Sequence, residues 1–300
     1  MKARAGPDGV HIFSRATGAN ILLDEISVAE NSWSRAPRQV SIALTNACDL
    51  KCPHCYAPKN AATLRAEKIE GWLAELDNDG CLGIGFGGGE PTLHRDFARL
   101  CKFAMQQTGL AVTFTTHAHH IDDGLASELA GNVNFVRVSM DGVDGTYEML
   151  RGRSFSKFRS RLKNVRALAP FGINFVVNRA TFGEIDKAVA VAAEAGASEF
   201  LLLPEQKTLH SDGIDRSTLH ELRSWTASSR TILRLAVSET EASGFPTCDP
   251  LVKEKGLRSY AHIDASGALK QSSFDRSGVQ IETSVFEALA RLQATNGRMQ

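Results

Sequence analysis

The chain has 300 residues, 43% of them apolar and 23% charged, which suits one large globular domain or one domain with a small appendage. Lysine plus arginine and aspartate plus glutamate each total 34, so the net charge is zero and no overall basic footprint for nucleic acid is present. The first residues lack the apolar core of a secretory signal and no apolar run approaches the ~20 residues of a membrane span, which predicts no membrane partner and a cytoplasmic, reducing setting.

A short β-hairpin is predicted first, Val10–Phe13 and Ile21–Leu23 around a turn through Thr17–Asn20. With the polar linker after it, it makes an N-terminal piece over residues 1–36. Six short apolar or β-branched strands follow: Gln39–Leu44, Cys81–Phe86, Ala111–Thr116, Asn134–Met140, Ile173–Asn178 and Glu199–Leu203. Helices are predicted between and after them, over 63–78, 94–108, 122–130, 155–169, 182–195 and 216–240. This α/β alternation, spanning 37–240, implies a parallel sheet buried on both faces. An open doubly wound sheet and a partial barrel both fit it. Residues 241–300 read as a small α+β extension, with a hairpin of Tyr260–Asp264 and Leu269–Ser273 and a helix over 284–295.

In a reducing compartment, clustered cysteines read as metal or redox ligands. Cys48, Cys52 and Cys55 follow the first strand with the spacing Cys-x3-Cys-x2-Cys. Three thiolates within eight residues converge on one centre only from a loop, and Pro53 suits a loop. Iron–sulfur clusters usually take four cysteines. Three leave one iron open for an outside ligand, as a catalytic zinc keeps an open position. The competing reading is zinc with His54 as fourth ligand. Structural zinc prefers paired Cys-x2-Cys spacing, and His54 is wedged between two cysteines.

Gly87-Gly88-Gly89-Glu90-Pro91-Thr92 ends the second strand. A glycine run lets a ligand approach the backbone and Glu90 offers an acceptor for a cation, although a plain strand-to-helix turn reads the same way. The third strand ends in Thr116-His117-Ala118-His119-His120. The fourth ends in Ser139-Met140-Asp141-Gly142, followed by Tyr147, Arg151-Gly152 and Phe155. Asn178 and Leu203 end the fifth and sixth strands, and strand C-termini are where α/β barrels place active sites.

Together these motifs resemble the radical S-adenosylmethionine (SAM) superfamily, whose signature is Cys-x3-Cys-x2-Cys followed by an aromatic residue, here Tyr56. The resemblance runs from about Pro37 to Leu203 and more weakly onward. It implies a partial (β/α)6 TIM-type barrel with a [4Fe-4S] cluster on Cys48, Cys52 and Cys55, and SAM chelated at the open iron. SAM would be cleaved reductively to a 5′-deoxyadenosyl radical that takes hydrogen from a substrate. An electron donor such as flavodoxin or ferredoxin is implied too. Gly88, Gly89 and Glu90 look like the family's GGE motif, which binds the SAM amino group. By the same resemblance Ser139 lies near the ribose, and Arg151 lies near the carboxylate, which its planar fork suits. Asn178 would face the ribose or methionine part, and Leu203 or its neighbour Leu202 the adenine. Thr116 and His117 stand where relatives often have Thr-Asn-Gly. That departure leaves His117 as a SAM contact, a proton shuttle or part of a polar loop.

The Ser139-x-Asp141-Gly142…Arg151-Gly152…Phe155 pattern looks like the peptide-modifying branch, whose members often carry a SPASM or twitch region. Here Ser272 or Ser273 stands where such a region has a cysteine, leaving Cys248 alone. One thiol cannot hold an auxiliary cluster, so one cluster is expected. Cys248 then reads as a small structural hydrophobe, or as a hydrogen donor to a substrate radical, as in some radical SAM epimerases. The substrate is a peptide or a small molecule. The competing function is a non-catalytic iron–sulfur or zinc binding module, which predicts no SAM binding; the GGE-like turn argues against it.

Overall fold

The computed structural model describes residues 1–208, 210–238 and 242–297. The N-terminal residues form three antiparallel strands rather than one hairpin: β1 (Lys2–Gly6), β2 (Gly9–Phe13) and β3 (Asn20–Leu23). The extra strand was masked in the sequence by its cations. Arg4 is 2% exposed, yet Glu254 accepts from its Nε at 3.1 and 3.2 Å, and Ala36 and Arg258 carbonyls accept from its terminal nitrogens. A buried charge is tolerated when it is paired and hydrogen-bonded in this way.

Strands and helices then alternate through β4 (Gln39–Thr45), α1 (Ala66–Asn78), β5 (Gly83–Gly88), α2 (Phe97–Gln107), β6 (Ala111–Thr116) and α3 (Asp123–Leu129). Next come β7 (Phe135–Ser139), α4 (Asp144–Arg151), α5 (Phe155–Leu168), β8 (Phe171–Val177), α6 (Ile185–Ala195), β9 (Glu199–Pro204) and α7 (Arg216–Ser228). The chain continues with β10 (Arg234–Val237), β11 (Tyr260–Ile263), β12 (Ala268–Lys270), β13 (Val279–Gln280) and α8 (Val285–Gly297). The ten-stranded sheet has the order β10-β9-β8-β7-β6-β5-β4-β11-β12-β13. β4 to β9 are the six parallel strands of a partial (β/α)6 barrel, left open because β4 does not pair with β9. Parallel strands continue on both sides, β10 beside β9 and β11 beside β4.

Three further expectations are corrected. The helix predicted over 216–240 stops at Ser228 and is followed by β10; residues 239–241 lie outside the described residues. The sheet is not buried on both faces. Val40, Ile42, Leu44, Ile84, Phe86, Val112 and Phe114 are buried in the core, while Ser41, Gly85, Gly87, Thr113 and Thr115 on the opposite face are half-exposed. These strands therefore alternate with period two, and the small polar set makes the concave wall. The third correction is α4, which the sequence does not announce because Val143 at its N-cap has no capping oxygen. Glu184 supplies one from 41 residues away: its carboxylate accepts from the Val143 amide at 2.7 Å and the Thr146 hydroxyl at 2.6 Å. Glu184→Ala should lower stability by about 1–2 kcal/mol. An unchanged urea midpoint would show that the cap does not hold α4. No helix among the described residues is long and apolar enough to cross a membrane.

A candidate cluster and cofactor site at the strand C-terminal ends

The cysteines sit on a loop that leaves β4 and returns to α1. Its stem is closed by Thr45 against Thr63, whose hydroxyls lie 2.8 Å apart, and by the Asn46 side-chain amide donating to Asn60 at 2.8 Å. The three thiols are all half-buried and free. Each sulfur receives one donor: the Leu50 amide on Cys48 at 3.4 Å, Arg151 Nη1 on Cys52 at 3.6 Å and Lys59 Nζ on Cys55 at 3.4 Å. Burial pushes the Cys48 and Cys52 thiols above the ordinary value, with Arg151 pulling Cys52 back.

This donor set fits a cluster better than one zinc ion. Zinc with sulfurs ~2.3 Å away would hold them about 4 Å apart. The only trio of His, Cys or carboxylate ligand atoms within 4.8 Å of one another, among the described residues, is Cys48, Asp49 and His117. That trio includes only one of the three thiols, and within it His117 Nε2 lies 2.9 Å from Asp49 while its Nδ1 accepts from the His119 amide. His54 joins no such group among the described residues, and its Nε2 pairs with Asp141 at 2.8 Å.

Two polar clamps fix the loop to the barrel mouth. The first is buried. Asp141, just past β7, is fully enclosed, and its carboxylate pairs with His54 from the cysteine loop and with Arg151 from the end of α4. The Val176 amide also donates to it at 3.1 Å. Burial alone would raise this carboxyl, but Arg151 and His54 outweigh it and hold it at about 2. The Arg151 guanidinium, although buried, is raised by Asp141 and Cys52. The second clamp centres on Asp49, which pairs with His117, His120 at 3.3 Å and Arg153 at 2.7 Å. Asp141 and His117 thus hold other protein groups rather than facing the inner wall.

The glycine turn is tied to the same loop. The Gly89 amide donates to the Thr45 carbonyl at 2.7 Å and the Glu90 amide to Ala47 at 2.8 Å. Gly88 has φ +123°, and a Cβ there would lie 2.2 Å from the Thr45 oxygen; at Gly89 it would lie 2.2 Å from the Ala47 oxygen. In the direction a side chain would take, these two glycines admit the chain's own backbone. Gly87, which opens the glycine run but precedes the GGE-like residues, has nothing within 4 Å of where a Cβ would stand and faces the half-exposed wall. The buried Glu90 accepts from Thr92, from the Thr116 hydroxyl at 2.8 Å and from the His117 amide at 3.0 Å. Thr116 is thereby committed to Glu90.

Ser139 lies on the half-exposed wall, and its hydroxyl makes no hydrogen bond to a described residue. Leu203 shares that wall, whereas Leu202 is in the core. Asn178 caps a turn, accepting from the Ala180 and Thr181 amides and donating to Glu205 at 2.8 Å. Tyr56 packs against Phe274 of the C-terminal region, the rings tilted by 46° with centroids 4.7 Å apart. Cys248 is exposed and is not brought to this mouth. Pro250, two residues on, lines a cavity with Gln39, Gly83 and Ala111, the N-terminal residues of their strands. The sequence reading also missed Tyr260 and His262, whose side chains meet the Ser41 hydroxyl on the β4 wall. Only the β4–β11 pairing, some 220 residues apart in sequence, brings them there.

Residues 42–199, just over half of the chain, match the family described as the Radical SAM superfamily. The chain belongs to the radical SAM superfamily. It is 29% identical over 199 residues to the sporulation killing factor maturation protein SkfB of Bacillus subtilis, covering 63% of this chain and 48% of SkfB. It is 26% identical over 207 residues to the AdoMet-dependent heme synthase of Methanosarcina barkeri, covering 65% and 59%. The chain thus spans about half the length of the curated relatives it matches. The crystal structure of Streptococcus suis SuiB bound to the precursor peptide SuiA shares the fold, with TM-score 0.75 and 16% identity over 95% of this chain and 86% of SuiB. Radical SAM membership implies a [4Fe-4S] cluster and SAM, and three free thiols on one loop at the strand C-terminal ends suit the first of these.

Proposed function

We propose that the chain is a peptide-modifying radical SAM enzyme with one [4Fe-4S] cluster on Cys48, Cys52 and Cys55. The observation that carries the cluster is the set of three half-buried sulfurs on one pinned loop, each already facing a hydrogen-bond donor. When bound, the reduced cluster and SAM supply a 5′-deoxyadenosyl radical able to abstract hydrogen. The protein's own part is to hold and shield. Arg151 places a cation beside Cys52 and is kept there by Asp141. Gly87, Ser139 and Leu203 present a small, a hydroxyl and an apolar surface along the wall that would receive SAM. Gly88, Gly89, Glu90, Thr116, His117 and Asp141 act through the scaffold, as positioning residues. Asn178 rims the mouth beside Glu205, and Tyr56 closes the loop's outer side against Phe274.

The peptide class is supported by the SkfB and SuiB comparisons and by the Arg151-Gly152…Phe155 pattern. A small molecule is the second reading, favoured by the heme synthase match. Anaerobic reconstitution with iron and sulfide should give visible cluster absorbance, and dithionite with SAM should give 5′-deoxyadenosine. Cys48→Ser, Cys52→Ser or Cys55→Ser should each abolish both signals. A full-strength spectrum from Cys52→Ser would sink the ligand assignment, and a normal spectrum with no SAM binding would favour the non-catalytic module. Cys248→Ala should leave cluster, SAM cleavage and solvent deuterium incorporation into product unchanged.

A further inference from the structure

The exposed Cys248 is not at the mouth, Cys81 and Cys101 are buried in the core, and the other three cysteines are the proposed cluster ligands. No thiol is left to return a hydrogen atom to a carbon radical in the lumen. After a thiol, the phenolic O–H of tyrosine is the side-chain bond best suited to do so. The chain has three tyrosines. Tyr147 is fully buried and lies 2.9 Å from His119 Nε2, and Tyr56 belongs to the cysteine loop. Tyr260 is half-buried on β11.

β11 pairs with β4 in parallel, with Tyr260 opposite Gln39 and His262 opposite Ser41. Ala261, Ile263, Val40 and Ile42 point to the core, so Tyr260, His262 and Ser41 share the opposite face, the concave wall. Tyr260 Oη lies 2.5 Å from Ser41 Oγ, which lies 2.7 Å from His262 Nδ1. Phenol, hydroxyl and imidazole thus form a chain. Burial pushes Tyr260 up to about 12 and holds His262 down at about 4, so both ends are neutral near pH 7. Two orders of donation use the single Ser41 hydrogen: from Tyr260 through Ser41 to Nδ1, or from Nδ1–H through Ser41 to Tyr260. In the second order the phenolic hydrogen has no acceptor among the described residues, and Ser41 donates to the oxygen that carries it. Ser41 precedes Thr45 by four residues on β4, about 13 Å from the root of the cysteine loop. That interval leaves room for cofactor and substrate.

We propose that Tyr260 is the hydrogen donor to a carbon-centred radical in this lumen, with Ser41 and His262 as its positioning residues. The inference rests on the radical SAM enzyme reading. The phenolic O–H breaks and a C–H bond forms. The carbon radical is reduced by one electron, and the phenol is oxidised to a phenoxyl that keeps the Ser41 hydrogen bond. A one-electron reductant of the class that reduces the cluster then restores the phenol. Ser41 passes its proton to the phenolic oxygen, Nδ1 re-protonates Ser41, and a proton from water enters at Nε2, which has no hydrogen-bond partner among the described residues and is not a sealed polar atom.

Without added substrate the carbon radical is the 5′-deoxyadenosyl radical itself, so SAM serves as the probe. The full reconstituted chain is reduced with dithionite in deuterium oxide, with no thiol present. Wild type should form 5′-deoxyadenosine carrying solvent deuterium. Freeze-quenched samples should show a phenoxyl EPR signal that narrows when the tyrosines are ring-deuterated. Tyr260→Phe should lose both the deuterium and the signal. Ser41→Ala and His262→Phe should form the signal and prolong its decay about a hundredfold, the scale of a lost proton relay; a merely structural role would leave the decay unmoved. In the metal-free chain, low-temperature ultraviolet photo-oxidation should give a phenoxyl component that is absent from Tyr260→Phe and shifted in its largest g-value by Ser41→Ala. Unchanged deuterium content in Tyr260→Phe overturns the proposal, as does a decay indifferent to both relay variants. Absence from wild type of a signal that narrows on ring deuteration overturns it without any variant. Failure to form 5′-deoxyadenosine at all would sink the enzyme reading, and this proposal with it.

Discussion

Replacing Asp141 with alanine is expected to lower the unfolding free energy by about 3–5 kcal/mol, because it strands a buried arginine without its counter-charge. Arg151 has only a tenth of its side chain exposed and Asp141 essentially none, so solvent cannot substitute for the lost carboxylate. His54 loses its partner in the same step, which frees the segment between Cys52 and Cys55. The urea midpoint of Asp141→Ala should therefore fall, and cluster loading with it. The double variant Asp141→Ala/Arg151→Met should regain most of the lost stability, since removing both charges relieves the unpaired one. Simple additivity of the two losses would show that the pair is not coupled. The same carboxylate sets an acid limit. Its folded value of about 2 lies below the ordinary 3.8, so its contribution is present above about pH 4 and is lost as pH falls through 2. That loss is on the order of 2 kcal/mol, and Asp141→Asn should flatten this part of the stability profile.

Two neighbouring glycines should give opposite results. Gly88→Ala combines a left-handed backbone with a Cβ 2.2 Å from a carbonyl oxygen, and should cost about 3 kcal/mol or more. Gly87→Ala meets no protein atom within 4 Å, and should leave stability within about 1 kcal/mol of wild type. Its methyl projects instead into the space proposed for SAM, and an overlap of that size costs about 1–3 kcal/mol, or roughly five- to hundredfold in SAM affinity. Equilibrium dialysis with labelled SAM on the reconstituted protein reads this directly. Wild-type affinity in Gly87→Ala would remove the concave wall from the proposed SAM site.

The barrel strands were legible because each is a short apolar or β-branched run between helix-sized segments, and Ala111–Thr116 is placed to the residue. The concave wall was harder to see. Its glycines, serines and threonines look like interruptions of an apolar strand until every second residue is assigned to its own face. The cysteine loop could be read from its place directly after the first strand and from Pro53 within it. What held that loop was not legible. Asp49 finds His117, His120 and Arg153, and His54 finds Asp141, at separations of 68 to 104 residues, and no local pattern announces such pairs; only the Asp141–Arg151 pair is near in sequence. α4 escaped notice for the same reason, as its cap is Glu184. Gly87 and Gly88 are identical letters, and only the Thr45 carbonyl beside one of them tells which admits backbone and which faces open space.

The parallel pairing of β11 with β4 also dictates an order of assembly. Tyr260 meets Gln39 and Ile263 meets Ile42, so the strand that launches the cysteine loop acquires its last neighbour from a segment made more than 200 residues later. During synthesis, β4 keeps one unpaired edge until that segment leaves the ribosome, and unpaired edges recruit foreign strands. The cysteine loop is thus born early on a half-finished platform. Delivery of iron and sulfide is best timed after chain release, and nascent chains stalled before Tyr260 are the species most in need of a chaperone.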